Sequence, residues 1–250
     1  MNSKISILLA LVCLGIIYLI VMGVDSPATP KGYIINTYMY ILLAIVTVGL
    51  SWAFLDNWDE SFYDNHIKSI ALIVIFLLSF ITIALTPTDY YLLNHTAWGL
   101  FVVSTGFMTY LTYKNNIANN NMTSVLISLL AIIASMSYIA YTQPLDSFKS
   151  WEKPMVYSLG ALILVEVLDL LFMHDSTKEF AGRLKIYSWI GLVIFASLMI
   201  IGTQRLLKNS ESVVIKCKDK SQLECVDYPK DSLQTILNIV NLFNMVSRTH

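Results

Sequence analysis

The sequence predicts an all-α polytopic membrane protein, and three observations carry that prediction. Of 250 residues, 56% are hydrophobic and only 13% charged, with a mean hydropathy of +0.64; soluble domains carry about 25% charged residues. The 16 Lys and Arg and the 17 Asp and Glu fall mostly between long apolar runs. Those runs are uniform over about 20 residues, the helix length that crosses a hydrocarbon core of about 30 Å, and they lack the alternation of β-barrel strands. Composition excludes disorder, a disulfide scaffold and an ordinary soluble enzyme. A net charge of −1 without a clustered basic face excludes nucleic acid as a partner; the partner that composition demands is the lipid bilayer.

The first run, Ile5–Val24, follows Met-Asn-Ser-Lys and reads as a transmembrane helix or as a signal peptide cut near Gly23. Its length exceeds the usual signal core and no clean small-residue cleavage site follows, which favours the helix. Residues 1–32 therefore form a leading helix (or signal peptide) with its linker, and 33–250 a bundle. Within the bundle the spans are Tyr33–Leu55, Ile67–Thr86, Leu93–Tyr113, Met122–Tyr141, Pro154–Met173 and Ile186–Gln204. Turn and charge signals separate them: SPATPKG, DNWDESFYDN, TPTD, YKNNIANNN, QPLDSFKSWEKP and HDSTKEFAGR. Tyr33, Trp52, Trp98, Tyr113, Tyr141 and Trp189 lie near span ends and read as interface anchors. A polar loop, 205–230, then leads to a last segment, Leu233–Val246, too short for a full span at about 21 Å of helix. Gln234, Asn238, Asn241 and Asn244 share one face of it. Lipid would leave these amides unpaired, so the segment is expected inside the bundle, facing other helices or a wet cavity; the plainer alternative is an amphipathic helix at the interface.

Lys31, Lys149, Lys153 and the basic residues of 205–230 outnumber Lys4, Lys68, Lys114, Lys178, Arg183 and Lys185 on the opposite side. That balance puts the 205–230 loop in the cytosol. Cys217 and Cys225 flank a turn-like KDKSQ between alternating SVVIKC and LECVDY stretches. They would close a hairpin disulfide in an oxidising compartment and stay reduced in the cytosol. Apart from Lys68 at the edge of its span, only Glu166 and Asp169, in LILVEVLDLLF, are charged inside the spans, and three-residue spacing puts them on one face. Two carboxylates this close in a low dielectric do not both ionise cheaply, which suits proton or cation handling; the alternative is an interfacial Asp169 and a Glu166 hydrogen-bonded to a neighbouring helix. The sequence carries no ligand cluster for a metal, no phosphate loop and no nucleophile elbow, and His66, His95, His174 and His250 stand singly. No enzyme, resident cofactor or metal is expected.

The most specific pattern lies near the C-terminus. GLVIFASLMIIGTQRLL, from Gly191, is followed after the polar loop by DSLQTILNIVNLFNMV. This resembles the C-terminal signature of the transmembrane Bax-inhibitor-motif family, in which G-x-x-x-F-x-x-x-x-x-Y-D-T-Q leads to S-L-x-x-Y-L-D-x-x-N-L-F. The matching positions are Gly191, Phe195, Thr203, Gln204, Ser232, Leu233, Leu237, Asn241, Leu242 and Phe243. NTYMYILLAIVTVGLS, from Asn36, is weakly similar to the family's first core span. The resemblance implies a seven-helix bundle with a short C-terminal helix, here behind one extra leading helix. It also implies an ER- or Golgi-type membrane, protection against cell-death stimuli, and a pH-sensitive calcium leak in which Ca2+ is the permeant ion.

In the family two aspartates on the last two helices share a proton and gate the leak. Here those positions are Gly202 and Asn238, neither of which titrates. Three readings stay open. The protein is a calcium leak without pH control, lined by Gln204, Gln234, Asn238, Asn241 and Asn244; or it no longer conducts and acts by binding other membrane proteins of cell-death or calcium pathways; or Glu166 and Asp169 have taken over proton sensing.

Overall fold

The structure is a computed structural model that describes residues 28–56, 66–172, 177–217 and 225–250. The expected leading helix Ile5–Val24 lies outside these residues. Among the described residues the chain forms seven α-helices, one short 3-10 turn and no strand. They are α1 (Pro30–Leu55), α2 (His66–Leu85), α3 (Tyr91–Ala118), α4 (Met122–Thr142), α5 (Glu152–Phe172), α6 (Thr177–Lys216) and α7 (Tyr228–Thr249), with the 3-10 turn at Lys149–Trp151 before α5. Among the described residues, four helical stretches are long and apolar enough to cross a membrane: Pro30–Leu55, Ile67–Leu85, Met122–Thr142 and Gly182–Lys216.

Local chemistry sets the helix ends. The Thr29 side chain accepts from the Gly32 N–H at 3.0 Å and Pro30 takes the first helical position, so SPATP is a start signal as well as a linker. The asparagine run after α3 supplies the left-handed residue that stops it: Asn120 has φ 55° and the Asn121 N–H returns to the Asn116 carbonyl at 2.9 Å. Asp227 caps α7 by accepting from the Lys230 N–H at 3.1 Å.

Two expectations are corrected here. Residues 205–216 are helical, so neither the polar loop nor an SVVIKC strand begins where the sequence suggested. The reason is periodicity: Leu206, Ser210, Val213 and Cys217 are all buried, at steps of four, three and four that only a helix brings to one face. The last helix likewise extends beyond Leu233–Val246 at both ends, to 22 residues and about 33 Å.

The helices pack as two units. The first holds α1, α2, most of α3, the end of α6 from Asn209, and α7 to Ile236. Its core is aromatic: Tyr40 stacks on Tyr228 at 5.4 Å and meets Trp98 edge-on, while Phe101 packs against Phe76 and Phe80 of α2. Small residues bring α1 and α3 together, since a Cβ at Gly106 would stand 2.6 Å from the Ser51 Cβ. The Trp52 indole N–H reaches the Thr109 hydroxyl at 3.0 Å, and Tyr110 and Tyr113 both donate to Asp56.

The second unit holds the end of α3 from Lys114, α4, α5, α6 to Lys208, and α7 from Leu237. Val125, Leu162, Phe195, Met199, Leu242 and Val246 are among its buried apolar side chains. Gly191 lets α6 approach α7, where a Cβ would lie 2.8 Å from the Met245 Sδ. Three anchors need revision by burial. Tyr33 and Trp98 are buried and hydrogen-bonded, and Trp52 is half-buried, whereas Tyr141 and Trp189 keep the exposure expected of anchors.

Candidate functional site

Helix α7 is buried on all sides but one. Within the second unit its partly accessible lane runs through Leu237, Val240, Asn241, Asn244 and Ser247 to the exposed Arg248. Outward faces elsewhere are apolar, with Leu78 on α2, Leu130 on α4 and Leu164 on α5 each more than half exposed. Such faces suit lipid. A lane of amides and hydroxyls does not, because hydrocarbon offers these groups no partner. The lane is therefore read as wet.

The sequence-predicted residues divide around it. Asn241 donates its amide back to the Leu237 carbonyl at 2.9 Å. The Asn244 Oδ1 and Ser247 Oγ are out of contact with the surface and have no hydrogen-bond partner among the described residues. Asn238 lies deeper, with its Nδ2 likewise unmatched, and so does Thr203 with its Oγ1. Gly202 is buried beside Thr203 in the chain and offers no polar side chain. Gln234 is half-buried in the first unit, on the same helical face as Asn241. Buried polar atoms in this number call for water or an ion to complete them. Gln204 does something else: its amide donates to the Pro144 carbonyl at 3.0 Å, satisfying an orphan acceptor just past α4. It borders a cavity of about 190 Å3 where Arg205 pairs with Glu152 at 2.6 Å and Lys208 with Asp146 at 2.8 Å, and which Lys149 also lines. The Lys208 ammonium holds the Asp146 carboxyl below the usual carboxylate range.

Glu166 and Asp169 lie one turn apart on one face of α5. Each faces its own arginine: Asp169 meets Arg183 of α6 at 2.9 Å, and Glu166 meets Arg248 of α7 at 3.8 Å. Neither arginine was legible as a partner, because the pairings are long-range. Cys217 and Cys225 are joined as a disulfide, with Cα atoms 5.4 Å apart, tying the end of α6 to the lead-in of α7. A disulfide belongs to an oxidising compartment, whereas the balance of Lys and Arg puts this segment in the cytosol, so the two observations point opposite ways.

The sequence reading missed a second polar cluster, in the first unit. The Tyr33 hydroxyl donates to Asp231 at 2.9 Å, Asn36 to the Tyr228 oxygen at 3.2 Å, Asn94 to Asp227 at 3.2 Å, and Trp98 to Ser232 at 3.2 Å. His95 meets the Tyr40 hydroxyl through Nε2 and the Tyr91 carbonyl through Nδ1, and since a carbonyl only accepts, Nδ1 carries a proton. Burial pushes both Asp227 and Asp231 above the ordinary aspartate value, against the pull of Lys230. A signal was available in the polar positions Tyr33, Asn36 and Tyr40, at steps of three and four within an apolar span.

The apolar helices and the polar lane define an integral, all-helical membrane protein. Residues 30–249 match the family model described as Inhibitor of apoptosis-promoting Bax1. The chain belongs to that Bax-inhibitor family. No curated protein is matched by the chain.

Proposed function

We propose that this protein is a cation leak of an ER- or Golgi-type membrane, passing calcium, moderating stored calcium and thereby cell-death signalling, without the family's proton switch. The observation that carries the reading is the α7 lane: Asn244 and Ser247 lie on the one partly accessible side of the helix, and their buried oxygens have no hydrogen-bond partner among the described residues. Neutral amides and hydroxyls can replace part of a cation's hydration shell without binding it tightly, which conduction requires. Among the described residues no three His, Cys, Asp or Glu side chains gather to hold a metal. Gly202 and Asn238 stand where the family's titrating pair would be, so control by a shared proton is lost.

The test is calcium efflux from loaded proteoliposomes between about pH 6 and 8, a range that brackets an ordinary histidine and a raised carboxyl. Efflux above protein-free vesicles, changing less than about twofold across that range, is the expected result. Efflux no faster than from protein-free vesicles overturns the leak and leaves the family member that acts by binding other membrane proteins. A steep pH step abolished by Glu166→Gln or by Asp231→Asn would overturn the loss of pH control and place the sensor on α5 or at the head of α7.

A further inference from the structure

We propose that Glu166 is a cation-binding carboxylate at the end of the α7 lane and that Arg248 is a tethered cation occupying it at rest. The inference takes the lane to be the cation path, as the preceding reading does. It starts from an asymmetry between two acids one turn apart on α5. The Asp169 side chain is 2% exposed and lies 2.9 Å from the Arg183 Nε, a close buried ion pair although its geometry is not that of a hydrogen bond. Glu166 and Arg248 are 28% and 44% exposed and 3.8 Å apart, too far for a hydrogen bond. A partly solvated pair at that separation gains little from staying closed. Asp169–Arg183 is a brace; Glu166–Arg248 can open.

What opening would uncover favours a cation. The Glu166 Oε1 is shielded from solvent and accepts no hydrogen bond among the described residues. Side chains on a helix lean toward its N-terminus, so Arg248 leans back over Asn244, four residues earlier on the same lane. On the same helix as Arg248, one turn and one residue before it, the Asn244 Oδ1 and Ser247 Oγ are also unmatched. One carboxylate with neutral oxygens repels anions and suits a hydrated divalent cation held weakly, with most of its ligands still water. The guanidinium beside Glu166 supplies the positive charge until a mobile cation displaces it.

Equilibrium binding of 45Ca2+ to the purified full-length protein in nanodiscs tests the assignment. Removing the competing charge with Arg248→Gln should tighten binding about three- to fivefold, the range an exposed ion pair accounts for. Glu166→Gln should reduce binding to the level of empty nanodiscs, and the double variant should behave like Glu166→Gln alone, since Arg248 acts only through that carboxylate. A gain of affinity does not arise from misfolding, so Arg248→Gln guards against a trivial loss. Unchanged or weaker binding in Arg248→Gln, or wild-type binding in Glu166→Gln, overturns the proposal. Binding that follows the expected pattern without efflux from proteoliposomes keeps the site and overturns the leak; efflux with binding unaltered in both variants does the reverse.

Discussion

Asp231 keeps its carboxylate against the Tyr33 hydroxyl in surroundings that exclude most water, and burial raises its proton affinity above that of an ordinary aspartate. Because the folded value exceeds the unfolded one, the linked stability is fully present below the unfolded value, near 3.9, and is lost as pH rises through the folded value. Asp227 works in the same direction, partly offset by its bond to the Lys230 N–H and by the Lys230 charge. The thermal midpoint of the purified protein should therefore fall between about pH 4, near the unfolded value, and pH 8. Asp231→Asn keeps an oxygen to accept from Tyr33 and removes the buried charge, so its midpoint should fall less over the same interval. Thermal unfolding followed by tryptophan fluorescence at both pH values decides this; an equal fall in the two proteins would show that Asp231 is not the group responsible.

Two glycines on separate helices separate tight packing from tolerant packing. A Cβ at Gly106 would meet the Ser51 Cβ at 2.6 Å and the Val48 Cα at 3.3 Å, atoms that move only if α1 moves. At Gly191 the neighbour is the end of Met245, a side chain with three rotatable bonds. Gly106→Ala should cost about 1–3 kcal/mol through overpacking, and Gly191→Ala clearly less. Denaturation of both variants in the same detergent checks the order, and equal losses would contradict it. Element by element, the sequence was most informative where one physical cue dominated. Continuous apolarity marked α1, α2, α4 and the core of α6, and the asparagine run marked the end of α3. It was least informative at 205–230, where charge density suggested a loop although Leu206, Ser210 and Val213 already carried a helical period. Alternation and helical period are hard to tell apart over six residues, and burial against other helices decided the outcome.

For the molecule as a whole, the polar stripe at Gln234, Asn238, Asn241 and Asn244 was readable because it interrupts an apolar helix; in the structure Gln234, Asn241 and Asn244 are partly accessible and Asn238 is buried. The partners of Glu166 and Asp169 were not readable, since Arg183 is on the next helix and Arg248 on the last, and only packing brings them close. What remains is whether the accessible surfaces differ in solvent as their chemistry implies. Leu78 is 60% exposed, whereas Asn244 is only partly exposed. If exposure alone governed access, a cysteine at Leu78 would react faster with a charged, membrane-impermeant maleimide. If the apolar faces meet lipid and the lane holds water, the order reverses, because the reagent and the reactive thiolate both require water. In a Cys13→Ser background with the Cys217–Cys225 disulfide intact, Asn244→Cys in proteoliposomes should label readily, and Leu78→Cys and Leu164→Cys hardly at all. Solubilising the protein in detergent should bring the two leucine positions up much less than full denaturation does, since detergent chains replace lipid on those faces. Labelling of Leu78→Cys at or above the rate of Asn244→Cys in the bilayer would mean that the α7 lane is no wetter than the outer face of α2, and the cation path proposed along it would fail with it.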